Sequence, residues 1–183
     1  MGICDCRKIV VGLIFVTLVP GFANAADLTL FVGGAKPGKL KKSGILTSLD
    51  GGPVFGARLG VNFVPALGVE GTLAFSSDYL FPRSFAEVTD TKGFVGSTNL
   101  IVSFPHKHVV PYLTAGAGLI YQYGSGNPPV GARFAVNYGG GLKLRKLVHS
   151  LGLRVDARGY TALGIFSRQL NILEVSGGLL ISF

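Results

Sequence analysis

The segment from Asn171 to Phe183 alternates strictly, and that alternation limits what the rest of the chain can be. Phe183, Ile181, Leu179, Gly177, Val175 and Leu173 form one apolar face, while Ser182, Gly178, Ser176 and Glu174 are small or polar and only Leu180 breaks the other face. A period of two is the signature of a β-strand with unlike environments on its two sides. The same pattern returns along the chain, and from Asp27 onward eight strands are expected: Leu28–Gly33, Val54–Phe63, Leu67–Ser76, Gly93–Phe104, Val109–Tyr123, Arg133–Leu144, Leu151–Tyr160 and the closing segment. Turn-forming residues separate them, and the spacing carries no helical period.

The first residues have a different logic. Arg7 and Lys8 precede the apolar run Ile9–Val19, Pro20-Gly21 interrupts it, and Ala23-Asn24-Ala25 supplies small residues at the cleavage positions. This is the pattern of a secretory signal peptide over residues 1–25, cut after Ala25. The run is short for a transmembrane helix, which needs about 20 residues. Cys4 and Cys6 lie ahead of it and leave with it, so the mature domain over residues 26–183 carries neither disulfides nor thiol chemistry. A formal charge of +8 would point to nucleic acid in a cytoplasmic protein. Export removes that partner and leaves the phosphorylated outer-leaflet lipid as the expected polyanion.

Hydrophobic residues make up 48% of the chain, yet no later stretch is long and apolar enough for a transmembrane helix. A membrane β-barrel produces that combination, because every second strand residue faces lipid. The connections are read as alternately long and short: Lys36–Gly52, Ser77–Thr91, Gly124–Gly131 and Thr161–Leu170 are the long ones, against short turns at Pro65-Ala66, Pro105–Lys107 and Arg145–Ser150. Long loops belong outside and short turns in the periplasm. Threading the strands on this scheme puts Phe55, Phe75, Phe94, Tyr123, Phe134 and Tyr160 in an outer aromatic girdle. Phe63, Phe104, Tyr112 and Phe183 fall in a periplasmic one. Pairs such as Phe55 and Phe63 are then roughly 20 to 25 Å apart along the membrane normal, close to the expected height of the lipid-facing band.

A soluble exported β-sandwich or a lipocalin-like carrier would share the period but turn its apolar faces inward. The charges decide between them. Arg58, Glu70, Lys143, Arg154, Asp156, Arg158 and Glu174 all fall on the minor, glycine-rich face, where they predict a lumen charge network. An eight-stranded barrel has an interior that side chains fill. A salt-bridged plug is therefore the expected content, with Arg158 beside Glu174 across the last strand pair, and a narrow solute channel is the alternative.

The Pro-Tyr-x-x-Ala-Gly-Ala-Gly segment at Pro111–Gly118, the Leu-Gly-Leu-Arg-Val-Asp-Ala-Arg segment at Leu151–Arg158 and the terminal Phe183 together resemble the OmpA-like small outer-membrane β-barrel family. The resemblance covers residues 26–183. It implies an all-β, eight-stranded antiparallel up-and-down barrel with both termini periplasmic. It also implies that Phe183, Ile181 and Leu179 form the signal read by the barrel assembly machinery.

Chemical motifs are sparse. Gly33–Lys39 matches the first positions of a Walker A loop, but Leu40 stands where Ser or Thr would hold magnesium and no helix follows. His106, His108 and His149 read as solvated turn residues rather than metal ligands. A lipid-modifying enzyme of the same family would need His, Ser and an acid together at the outer face, whereas His149-Ser150 falls on the periplasmic side. The expectation is thus a protein without cofactor, metal or catalytic residues. Its basic outer loop (Lys36, Lys39, Lys41, Lys42) touches lipopolysaccharide, and its role is structural or adhesive.

Overall fold

The computed structural model describes residues 25–38, 40–42, 45–47, 51–76, 91–124, 132–165 and 168–183. Residues 1–24, within the segment expected as a signal peptide, Lys39 and most of the second and third outer loops lie outside them. Its strands are β1 (Ala25–Pro37), β2 (Leu40–Lys42), β3 (Ile45–Thr47), β4 (Gly52–Val64), β5 (Leu67–Ser76), β6 (Thr91–Ser103), β7 (Val109–Gly124), β8 (Ala132–Val148), β9 (Leu151–Ile165) and β10 (Arg168–Ser182). Among the described residues, eight of these close into an antiparallel barrel in the order β1-β10-β9-β8-β7-β6-β5-β4, with β1 pairing β4 on its other side. Closure gives every strand two neighbours and leaves no edge.

Two features of the outer end differ from the sequence reading. Strands β9 and β10 continue to Ile165 and from Arg168, so most of the segment read as a loop over Thr161–Leu170 is strand. The first connection is likewise not all loop, since β2 and β3 pair as a separate two-stranded sheet. Beyond the hydrocarbon both faces of a strand meet water, and the apolar alternation that marks a membrane strand is no longer required there.

At the opposite end the connections are tight. Pro65 and Ala66 join β4 to β5, and His149 with Ser150 joins β8 to β9. Lys107, Lys146 and His149 have φ values of 47°, 56° and 53°, the left-handed conformation that closes such short reversals. Strand β8 runs on to Val148 through a register irregularity between Leu144 and Val148, which takes in most of the turn expected over Arg145–Ser150.

Alternation sorts the side chains. Along β9, Leu151, Leu153, Val155 and Ala157 are exposed, whereas Gly152, Arg154, Asp156 and Arg158 are buried. Charges inside and leucine and valine outside invert the arrangement of a water-soluble barrel, which excludes the lipocalin-like alternative. Such a surface belongs in hydrocarbon. Phe55, Phe94 and Phe134 are exposed toward one end of the wall and Phe63, Phe104 and Phe183 toward the other. The Phe55 ring packs on Phe75 at 5.2 Å between centroids. Two girdle assignments are overturned: Tyr112 and Tyr160 are each only 2% exposed and point into the lumen. The side chain of Tyr123 lies outside the described residues.

Val155, fully outward and some distance above the β8–β9 turn, tests the lipid-facing wall. Val155→Arg is expected to cost about 2 to 4 kcal/mol in urea unfolding from lipid vesicles. A neutral substitution would mean that this face does not meet hydrocarbon.

Candidate functional site

The lumen is filled by ionised side chains contributed by β1, β4, β5, β8, β9 and β10. Arg58, on β4, donates from Nη1 to Asp156 Oδ2 (2.9 Å) and from Nη2 to Glu174 Oε1 (2.5 Å) and Ser176 Oγ (3.1 Å). Glu70, on β5, receives two guanidinium groups, with Arg154 Nη1 at 2.5 Å from Oε2 and Arg158 Nη2 at 2.6 Å from Oε1. Asp156 is shared further, lying 3.0 Å from Arg154 Nε and 3.2 Å from Arg158 Nη2. None of these side chains is more than a few per cent exposed.

The register is as read, with Glu174 opposite Arg158 in the β9–β10 ladder. The ion pairing is different. Glu174 binds Arg58, two strands away past β1, and Arg158 reaches Glu70 on the opposite wall and Asp156 on its own strand.

Aromatic residues complete the packing. Tyr112 donates its hydroxyl to Asp156 Oδ1 and accepts from Arg154 Nε at 2.9 Å. Tyr160 donates to Glu174 Oε2 at 3.1 Å. The Arg58 guanidinium lies 3.6 Å from the centroid of Phe31, and that of Arg154 lies 4.8 Å from Tyr112. Weakly hydrated guanidinium groups stack on rings in this way. Gly141 makes room for one of them, since a Cβ there would fall 2.6 Å from the Tyr112 hydroxyl.

A second cluster lies below the first. Asp27 accepts from Lys143 Nζ at 2.9 Å, from Ser182 Oγ at 2.9 Å and from Arg145 Nη2. Asp27 was absent from the charges expected inside, and Arg145 was expected in a turn. With Asp27 included, the buried cations Arg58, Lys143, Arg154 and Arg158 are matched by Asp27, Glu70, Asp156 and Glu174. Among the described residues the buried charges balance.

This geometry, a closed eight-stranded wall with an apolar exterior and an ionic core, has close counterparts among solved structures. Neisserial surface protein A superposes with a TM-score of 0.67 at 16% identity, over 87% of this chain and 99% of that one. Ail, the attachment invasion locus protein of Yersinia pestis, gives 0.52 at 15% identity, over 85% and 99%. The outer membrane enzyme PagL gives 0.50 at 16% identity, over 85% and 98%. The fold is that of the small outer-membrane β-barrels. No family model and no curated protein sequence matches the chain. Because one fold serves an invasion protein and an enzyme alike, a role has to be argued from side chains.

The other expected sites fall as follows. Lys36 is exposed at the outer end of β1, Lys41 and Lys42 lie in β2 opposite Leu46 and Ile45, and Lys39 is outside the described residues. Lys92 and Arg133, also exposed near the outer ends of β6 and β8, add to this basic rim. Leu179 and Phe183 are exposed and Ile181 is half-buried; the Phe183 N–H donates to Ala26 O at 2.8 Å. His106, His108 and His149 occupy the short turns at the opposite end. Among the described residues no group of His, Cys, Asp and Glu is placed to hold a metal ion.

Removing one partner from a buried pair leaves the other charge uncompensated, at a cost of about 3 to 5 kcal/mol. Glu70→Ala leaves two fully buried arginines with only Asp156 to share and the interior one anion short, and is expected to lower stability by about that amount. Asp27→Ala takes the carboxylate from Lys143, whose side chain is 1% exposed, and should also be costly, whereas Lys92→Ala, at an exposed position of β6, should cost little. Urea midpoints measured in lipid vesicles give the order, and equal midpoints would contradict the lumen assignment.

Proposed function

We propose that this chain is an integral outer-membrane protein whose barrel serves as a plugged anchor for surface loops, with no catalytic role. The neutral, fully buried ion network is the observation that carries the reading. A conducting lumen requires a continuous aqueous path, whereas here Arg58, Arg154 and Arg158 cross the interior and bind the far wall. A hydrolase requires a nucleophile and a base in hydrogen-bonding reach. The histidines in the turns lie at the end away from the loops, and no Ser–His pair stands among the hydrogen bonds of the described residues.

Several finer assignments belong to the same proposal. The chain is taken as an OmpA-like small barrel, exported by a signal peptide cleaved after Ala25, with β10 and its terminal Phe183, Ile181 and Leu179 presented to the barrel assembly machinery. The loops face outward and bring Lys36, Lys39, Lys41 and Lys42 against lipopolysaccharide phosphates or a polyanion on another surface. Nucleic acid and cofactors have no part in this scheme.

Two measurements test it. Unboiled protein from an outer-membrane fraction is expected to migrate faster in SDS gels than boiled protein, as a closed barrel does; protein recovered in the soluble periplasm with no shift would overturn the localisation. In planar bilayers the purified barrel should give no conductance steps. Reproducible steps would replace the plug with a narrow channel.

A further inference from the structure

A groove of about 360 Å³ opens on the outer surface across β1, β10, β9 and β8, lined among others by Lys36, Asn171, Leu173, Gly159 and Tyr138. Four of these form one continuous cross-strand row, since Lys36 pairs with Leu173, Leu173 with Gly159, and Gly159 with Tyr138. All four have outward parity, and the gap in the row is Gly159. The Tyr138 ring leans over that gap, so a Cβ on Gly159 would lie 3.0 Å from its Cζ.

The row is inclined. Strands in such barrels tilt by about 40°, so a line perpendicular to them crosses the membrane obliquely. Three strand spacings separate Lys36 from Tyr138, about 14 Å along the row, and over that length the row descends by roughly 9 Å. Lys36 stands next to the outer end of β1, at headgroup height. Tyr138 lies well inside β8, at the height of acyl chains. Cationic at the top and apolar below, the groove has the polarity of a lipid molecule.

We propose that this groove is a defined binding site for one phosphorylated glycolipid of the outer leaflet, its phosphate on Lys36 and one acyl chain laid along Leu173, Gly159 and Tyr138. The inference rests on the membrane-anchor reading and goes beyond it. Lipid would be held at one place on the wall rather than exchanging freely around it.

Native mass spectrometry of the barrel released from phosphatidylcholine nanodiscs tests the site, with diphosphorylated lipid A added as the probe. A one-to-one adduct is expected. Lys36→Ala removes the phosphate contact and Gly159→Leu fills the groove, and each should weaken retention by about tenfold. Lys92→Ala, an exposed lysine on β6 away from the groove, should leave it unchanged. Gly159→Ala displaces only the free end of the Tyr138 ring and provides a milder variant, expected to weaken retention in the same direction. Unboiled gel mobility verifies that each variant has closed.

Wild-type retention by both glycine variants would overturn the proposal. Equal losses for Lys36→Ala and Lys92→Ala would also overturn it, by assigning the binding to diffuse charge. So would equal retention of phosphatidylglycerol, or a dimer peak abolished by Gly159→Leu, which would give the groove to a second copy of the chain. Failure of the anchor reading is seen separately and earlier, as protein that does not insert into nanodiscs at all.

Discussion

Satisfaction of the backbone within the barrel wall is the constraint from which the other features follow. Hydrocarbon offers no hydrogen-bond partner, and an open sheet edge there costs several kcal/mol for each unmet group. The pairing of β1 with both β10 and β4 removes that edge. Closure at eight strands then fixes the diameter, the diameter sets an interior as wide as two long side chains, and the interior has to be filled. Arginine, tyrosine and carboxylate fill it here because residues on the inner wall are screened from lipid and can meet across the lumen.

The ion network is better understood as a solution to this filling problem than as a source of large net stability. Charges withdrawn from water lose hydration that their mutual attraction only partly restores. What makes the arrangement tolerable is sharing: Glu70 serves two guanidinium groups and Asp156 three. Tyrosine hydroxyls take up carboxylate oxygens, and the rings of Phe31 and Tyr112 lie against guanidinium faces. Balance between cations and anions keeps the lumen from carrying a net field.

Much of the architecture was legible in the sequence, because a strand with lipid on one side and packed charge on the other must alternate. The range of β5 was readable to the residue, and Arg154, Asp156 and Arg158 fell on the inner face by parity alone. The misreadings have physical causes. Asp27 sits one residue before the first recognisable apolar alternation and next to the cleavage motif, so it looked like a leader-to-domain junction. Tyr112 and Tyr160 were placed in girdles from residue type and height, although Leu113 and Ala157 on the same strands already fixed their inward parity. The outer ends of β9 and β10, with Gly164, Arg168 and Gln169, do not sustain the alternation that marks the other strands. The pairing within the lumen was illegible for a different reason: which arginine reaches which carboxylate depends on the curvature of the wall.

The seam between β1 and β10 has a consequence for the order of assembly. Every other pair in the barrel except β1 with β4 joins consecutive strands, whereas Asp27 and Ser182 meet across nearly the whole chain. Arg58 on β4 depends on Asp156 and Glu174 in the same way, so its partners are the last to be synthesised. Contacts of such sequence separation form late, after the entropy of closing the intervening chain has been met. Until the seam zips, the guanidinium and carboxylate groups of the interior have no partners and need water. The half-formed sheet therefore cannot enter hydrocarbon strand by strand; its charged face must stay wet until the last strand arrives, and insertion and closure become a single event.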